Sequence, residues 1–316
     1  MDYLHNHPEF KNLLRILADK TGIEEGLIEK DYWLMHTLYG LRKQGYEFVL
    51  KGGTSLSKGF NIIDRFSEDI DLYIKPRAEL QVDENPKHTK ERQVETRKQY
   101  YDLLAEEIAI DGIITKVRDT AFDDLSYYRN GGIRLKYDSK APAVDGAKEG
   151  ILLEAGFSMV TPNKPCTISS WAYERAIATS GIAIKDNRAI DIPCYLPGYT
   201  FVEKLQTVTS KFRVEQESGK EGQNFMRQYY DVSSLLKNPE VDKFIGTDEY
   251  HAHKERWFST KDKETPIKEN EAFRLSDPKL RKRFKTRYQS TQKLYYNGQP
   301  DFEELLSVIE ENLDRL

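Results

Sequence analysis

Asp69 and Asp71 stand two residues apart in the run Ser67-Glu68-Asp69-Ile70-Asp71-Leu72. In an extended segment side chains alternate, so the two carboxylates share one face while Ile70 and Leu72 share the other. Paired carboxylates on an open strand face suit a hard divalent cation. Mg²⁺ takes oxygen ligands, commonly one or two carboxylates with substrate phosphates completing the shell. Two such ions about 3.5–4 Å apart stabilise the attacking and leaving oxygens of an in-line phosphoryl displacement. A candidate phosphate site precedes the acids: Gly53 lies sixteen residues before Asp69 in the run Gly52-Gly53-Thr54-Ser55. Phe48 to Leu50 read as a strand, Leu56 and Phe60 fall at helical spacing, and Thr54 and Ser55 are favourable helix N-caps. Such a strand–turn–helix junction leaves backbone N–H groups unpaired and attracts phosphate. It is not a P-loop, because no Gly-Lys-Ser/Thr closes the turn. Alone, Asp-x-Asp reads more readily as a surface turn; the glycine run and the interleaved apolar residues favour the metal.

Glu154 places another carboxylate inside the apolar run Ile151–Phe157. A buried unpaired carboxylate is expensive, so Glu154 requires a cation, a strong donor or a face open to water.

A sheet must position these side chains. Runs at 113–117, 132–137 and 150–157 read as strands, with Ile133, Leu135 and Tyr137 alternating with Arg134 and Lys136 as in a half-buried antiparallel strand. A last strand is expected over 190–195. Two helices precede the glycine run. The first has Pro8 at its opening position and Phe10, Leu13, Leu14 and Leu17 as its stripe; the second runs from about Glu24 to Gln44. A helix is expected over 89–110; Lys87 just ahead of it and Lys90, Arg92, Arg97 and Lys98 within it give its first part a basic side, countered by Glu91 and Glu95 and read as a solvated face; a short one is expected over 168–178. From Tyr199 the pattern turns helical: Phe201 to about Phe212, a glycine-bearing loop at 217–222, and a helix from near Gln223. Between 277 and 296, Lys279, Arg281, Lys282, Arg283, Lys285, Arg287 and Lys293 stand against Asp277 alone, a local charge of +6 in a chain of net charge −4. Phe284, Tyr288, Tyr295 and Tyr296 are interleaved, as suits a nucleic-acid backbone and unstacked bases; a core-packed helix with a basic side is the competing account. The last helix, from Phe302, turns Leu305, Leu306, Ile309 and Leu313 inward.

The chain has 316 residues, 38% hydrophobic and 32% charged, with 19 Tyr, 14 Phe and 3 Trp. The aromatic content argues against disorder. No apolar run approaches ~18 residues and the first residues carry no signal-peptide pattern, so no membrane span and a cytoplasmic location are expected. Cys166 and Cys194 have neither zinc nor disulfide-framework spacing.

Gly52-Gly53-Thr54-Ser55 followed by Ser67-Glu68-Asp69-Ile70-Asp71-Leu72 resembles the signature of polymerase-β-like nucleotidyltransferases. The longer Lys51-Gly-Gly-Thr-Ser-Leu and Arg65-Phe-Ser-Glu-Asp-Ile-Asp-Leu most resembles the AbiEii/AbiGii toxins of bacterial toxin–antitoxin and phage-defence systems. The resemblance implies an α/β (α+β) fold, a nucleotidyltransferase domain with a mixed sheet (1–197) before a helical domain (198–316), and a cleft between them. It implies that Lys51, Gly52, Gly53, Thr54 and Ser55 receive the triphosphate, that Asp69 and Asp71 ligate Mg²⁺, and that Glu154 ligates metal or activates the attacking hydroxyl. Glu29-Lys30-Asp31-Tyr32-Trp33 resembles a block that these toxins carry ahead of the glycine turn; Lys30 and Asp31 would then reach the nucleotide, or else form a solvated helix face. Two later segments also resemble the family. They imply that Lys204 contacts the triphosphate, that Asp231 sits near it as a catalytic group, and that Arg227 shares its helical face. Without the family, Lys204 and Asp231 read as an interhelical salt bridge. The expected reaction moves a nucleoside monophosphate from a triphosphate to an acceptor hydroxyl. The expected acceptor is the 3′ end of tRNA bound at Lys279, Arg281, Lys282, Arg283, Lys285 and Arg287, and an AbiEi-type antitoxin is the expected partner. A protein or small-molecule acceptor, or triphosphate binding without turnover, are the alternatives.

Overall fold

Helix α1 (Phe10–Thr21) buries Phe10, Leu13, Leu14 and Leu17 and ends at Gly22, whose φ of 74° supplies the left-handed cap. Pro8 does not open it. The Phe10 N–H bonds the His7 carbonyl, closing a separate turn that holds Pro8 outside the helix. Helix α2 (Glu25–Lys43) is buried without a break from Leu27 to Leu38. The expected solvated face is therefore absent at Lys30 and Asp31, which are buried with their apolar neighbours.

The computed structural model describes every residue except 145–147, 159, 180 and 223. After α2 come β1 (Phe48–Lys51), the short α3 (Gly52–Thr54) and β2 (Asp69–Ile74). Then follow α4 (Glu91–Glu107), β3 (Ile113–Arg118), β4 (Asn130–Tyr137), β5 (Ile151–Gly156), β6 (Asn163–Ile168), α5 (Trp171–Ile177) and β7 (Ala189–Tyr195). The strands form one mixed sheet in the order β3-β4-β5-β2-β1-β7-β6. β1 runs parallel to β7 and β2 parallel to β5; the other neighbours are antiparallel. Strand β6 carries no alternating apolar signal, and its Pro165 is tolerated because β6 lies at the sheet edge. Leu50, Ile70, Leu72, Ile133, Leu153 and Ile192 from the strands share one core with Leu34, Met35 and Leu38 of α2 and Tyr101 and Leu104 of α4. Arg97, read as part of a solvated face, is wholly buried in α4, where its guanidinium donates to the carbonyls of Asp83, Asn85, His88 and Tyr127.

By its internal contacts the chain divides into two units. One comprises Met1–Phe60 with Phe66–Tyr195, the other Asn61–Arg65 with Leu196–Leu316. The second unit begins with α6 (Pro197–Ser218), longer than its sequence pattern because Pro197 starts it and only Gly219, at φ 68°, stops it. The expected start of the next helix near Gln223 falls outside the described residues; α7 spans Met226–Leu236. Then come α8 (Pro239–Phe244), α9 (Asp248–Trp257), α10 (Thr260–Lys263), α11 (Glu271–Arg274), α12 (Pro278–Gln289) and α13 (Phe302–Glu310). Among the described residues no helix is long and apolar enough to cross a membrane.

Candidate active site

The glycine run lies at the end of β1, where Lys51 stands opposite Asp71 of β2. Gly52 takes φ 66°, a conformation open mainly to glycine, and a Cβ on it would lie 2.0 Å from Asp71 Oδ2. Both constraints exclude a side chain here. The close approach brings backbone against the acid. The helical turn begins at Gly52, with Lys51 in the N-cap position, three residues earlier than a cap at Thr54 would start it and four earlier than one at Ser55. Their hydroxyls instead donate: Thr54 Oγ1 to the Asp69 carbonyl at 2.7 Å and Ser55 Oγ to the Gly52 carbonyl at 2.9 Å. The N-cap expectation is thus wrong, but the Thr54 bond ties the turn directly to the first acid. The chain then continues through one π-helical turn, Ser55–Gly59.

In β2 the burial alternates, with Ile70, Leu72 and Ile74 inward and Asp69 and Asp71 half-buried on the other face. Strand β5 lies parallel alongside, and its Glu154 stands directly opposite Asp71. Lys51, Asp71 and Glu154 therefore form one row across three adjacent strands. Lys51 Nζ donates to Ser158 Oγ at 3.0 Å, and Asn130 Nδ2 to Glu154 Oε1 at 3.3 Å. Burial, then the charge of Asp71, pushes the Glu154 carboxyl up to about 7, against the pull of Lys51. Such a concentration of carboxylates is what a divalent cation would relieve. Among the described residues no three of His, Cys, Asp and Glu gather closely enough to hold a metal. The donor set fits an ion held by two carboxylates with further oxygens from substrate and water.

The later candidates lie in the second unit. Asp231 of α7 is fully buried, and Lys204 Nζ of α6 approaches its Oδ2 at 2.9 Å while donating to Gln228 Oε1 at 2.8 Å. Sequence reasoning missed the stronger partner. Arg65 donates from Nε and Nη2 to the two Asp231 oxygens, both at 2.6 Å. Burial would raise the Asp231 carboxyl, but Arg65 and then Lys204 hold it down at about 2. Arg227 is buried one turn before Asp231. Only the place of Arg65, four residues before Asp69, could have flagged it.

The basic helix α12 is capped by Asp277 and buries Phe284 and Tyr288. Its charges largely meet carboxylates of the same unit. Arg281 pairs with Glu303 and Glu310, Lys285 with Asp301, and Arg283 and Arg287 with the buried Glu215. Lys279 and Lys282 are exposed. The local +6 of the sequence is thus mostly balanced by residues distant in the chain.

A comparison with curated proteins found no match. Among solved structures, an antigenic nucleotidyltransferase-like protein from Paracoccidioides brasiliensis is similar at 11% identity over 72% of this chain and 87% of that one, with a TM-score of 0.37. That likeness is too slight to carry an argument. The family comparison is stronger: the model described as nucleotidyl transferase AbiEii toxin, type IV toxin–antitoxin system, matches residues 36–308, which include the glycine run, all three sheet carboxylates and the Arg65–Asp231–Lys204 cluster. On that match the chain belongs to the AbiEii nucleotidyltransferase toxin family.

Proposed function

We propose that this toxin transfers a nucleoside monophosphate from a triphosphate to an acceptor hydroxyl in a Mg²⁺-dependent reaction, with the 3′ end of tRNA as acceptor. The observation that carries the reading is the row Lys51–Asp71–Glu154 beside the Gly52 turn. Gly52, Gly53 and Ser55 receive the β- and γ-phosphates, with Lys51 and Thr54 at the edges of the turn. Asp69 and Asp71 would hold Mg²⁺, which when bound supplies charge neutralisation on the phosphates. The acceptor hydroxyl attacks the α-phosphorus, its proton passes to the Glu154 carboxylate, and the bond to the β-phosphate oxygen breaks to release pyrophosphate. A carboxyl near 7 suits a proton acceptor at neutral pH. Lys204 and Arg227 are assigned to the triphosphate on family likeness alone, with Asp231 fixing the Lys204 ammonium. An AbiEi-type antitoxin, a cytoplasmic site of action and a part in phage defence follow from the same likeness.

The ion pairs of α12 favour a second reading, in which the acceptor is a protein or a small molecule. Incubation with Mg²⁺, each α-labelled triphosphate and either tRNA or total protein separates the two. Label in tRNA supports the first reading and label in protein the second. Triphosphate bound but never consumed overturns transfer altogether.

A further inference from the structure

Three consecutive charged residues of α2, Glu29, Lys30 and Asp31, are buried. Burying a charge is costly unless partners recover the loss. Successive helix positions point about 100° apart, so each residue meets a different part of the first unit. Glu29 accepts from Ser139 Oγ at 2.6 Å and from the N–H groups of Lys140 and Ala141 at 2.9 and 3.0 Å. Asp31 faces the exit of the glycine turn. One of its oxygens is ion-paired with Lys58, three residues past Ser55, and the other accepts the Trp171 N–H at 2.8 Å. Lys58 Nζ also lies 4.4 Å from the centroid of the Trp171 ring. Lys30 faces the entry to the acid strand: its Nζ is 3.7 Å from Oε1 of Glu68, the residue before Asp69. That separation is Coulombic contact, not a hydrogen bond.

We infer that Lys30 and Asp31 are positioning residues for the transfer. Adjacent on one enclosed helix, they hold the end of the glycine turn and the start of the Asp69–Asp71 strand at a fixed separation. The inference rests on the proposed reaction and assigns neither residue to the nucleotide. Asp31 has both oxygens occupied, and through it the Lys58 charge is committed to anchoring the turn. Transfer demands this precision, since a misplacement of about 1 Å can cost roughly 10²-fold in rate.

The test compares Asp31→Asn, Lys58→Met and the double variant with Glu29→Gln. Glu29 lies on the same helix, equally buried, but ties down only residues 139–141. Dissociation constants for each of the four ribonucleoside triphosphates with MgCl₂, KM, kcat and melting temperature are read for all proteins. Asp31→Asn and Lys58→Met should each weaken triphosphate binding and raise its KM about tenfold or more, with the acceptor KM unchanged. The double variant leaves no charge unpaired and should recover melting temperature, but it lacks the anchor, so its triphosphate KM should stay raised about tenfold. Glu29→Gln should lower the melting temperature and leave triphosphate KM at the wild-type value. Wild-type triphosphate KM in folded Asp31→Asn, a return of the double variant to wild-type triphosphate KM, or an equal KM defect in Glu29→Gln each overturns the inference. A wild-type protein that binds no triphosphate would instead sink the proposed reaction, and the inference with it.

Discussion

Replacing Glu154 by glutamine should stabilise the metal-free protein at pH 8 and barely change it at pH 5. Burial, and next the charge of Asp71, lifts this carboxyl from an ordinary 4.5 to about 7. Between those values the folded protein holds a proton that the unfolded chain has lost. The favourable linkage is complete below 4.5 and disappears as pH rises through 7. At 1.36 kcal/mol per pKa unit, keeping the ionised side chain in place costs the folded state about 3 kcal/mol at pH 8 and under about 1 kcal/mol at pH 5. His36 works in the opposite direction over an overlapping range. Its burial, and next the nearby His5, lower it to about 4, so protonation of the unfolded chain removes stability as pH falls below 6.5. The quantity to read is therefore the difference between wild type and Glu154→Gln, in which the histidine contribution cancels. Urea unfolding in EDTA from pH 5 to 8 measures it, and the difference should grow with pH to about 3 kcal/mol. Saturating Mg²⁺ should stabilise the wild type at pH 8 more than the variant. A difference that is flat with pH, or a variant no more stable than wild type at pH 8, would refute the electrostatic account of Glu154. Its role as proton acceptor would then lose its support.

Asp71→Asn should abolish transfer while far-UV circular dichroism stays unchanged, because the side chain lies on the half-buried face of β2; residual transfer near the wild-type rate contradicts the metal assignment. Gly52→Ala should lose both activity and about 1–3 kcal/mol of stability, since it adds a strained φ and a contact with Asp71; a melt and an activity assay read the two losses. Arg65→Ala leaves Asp231 buried without its bidentate partner and should cost about 3–5 kcal/mol in urea unfolding, with Arg65→Lys restoring little because an ammonium cannot bridge both oxygens. Arg281→Ala with Arg283→Ala should weaken tRNA binding in a mobility-shift assay more than triphosphate binding if α12 is the RNA surface; equal tRNA affinity would leave these arginines to their intramolecular pairs, each worth under about 1 kcal/mol.

The chemistry-bearing part of the molecule was legible because it is local. A strand ending in two glycines and an Asp-x-Asp on alternating positions follow from chain geometry over a few residues, and so does the shared face of Asp69 and Asp71. Glu154 was recognisable as a carboxylate needing a partner, because an apolar strand declares its own burial. Register is not local. That Asp71 meets Glu154 on one side and Lys51 on the other depends on β2 lying between β5 and β1, an order set by packing across the whole sheet. The misread segments share this cause. Lys30, Asp31 and Arg97 looked solvated because a charge in a helix usually faces water, yet each is buried against partners supplied by distant segments. The basic run of α12 looked like a free patch because Glu215, Glu303, Glu310 and Asp301 lie elsewhere in the chain. Composition and spacing thus determined which groups could react, whereas tertiary packing decided which charges remain unspent, because an ion pair is made by proximity in space and leaves no periodicity in the sequence.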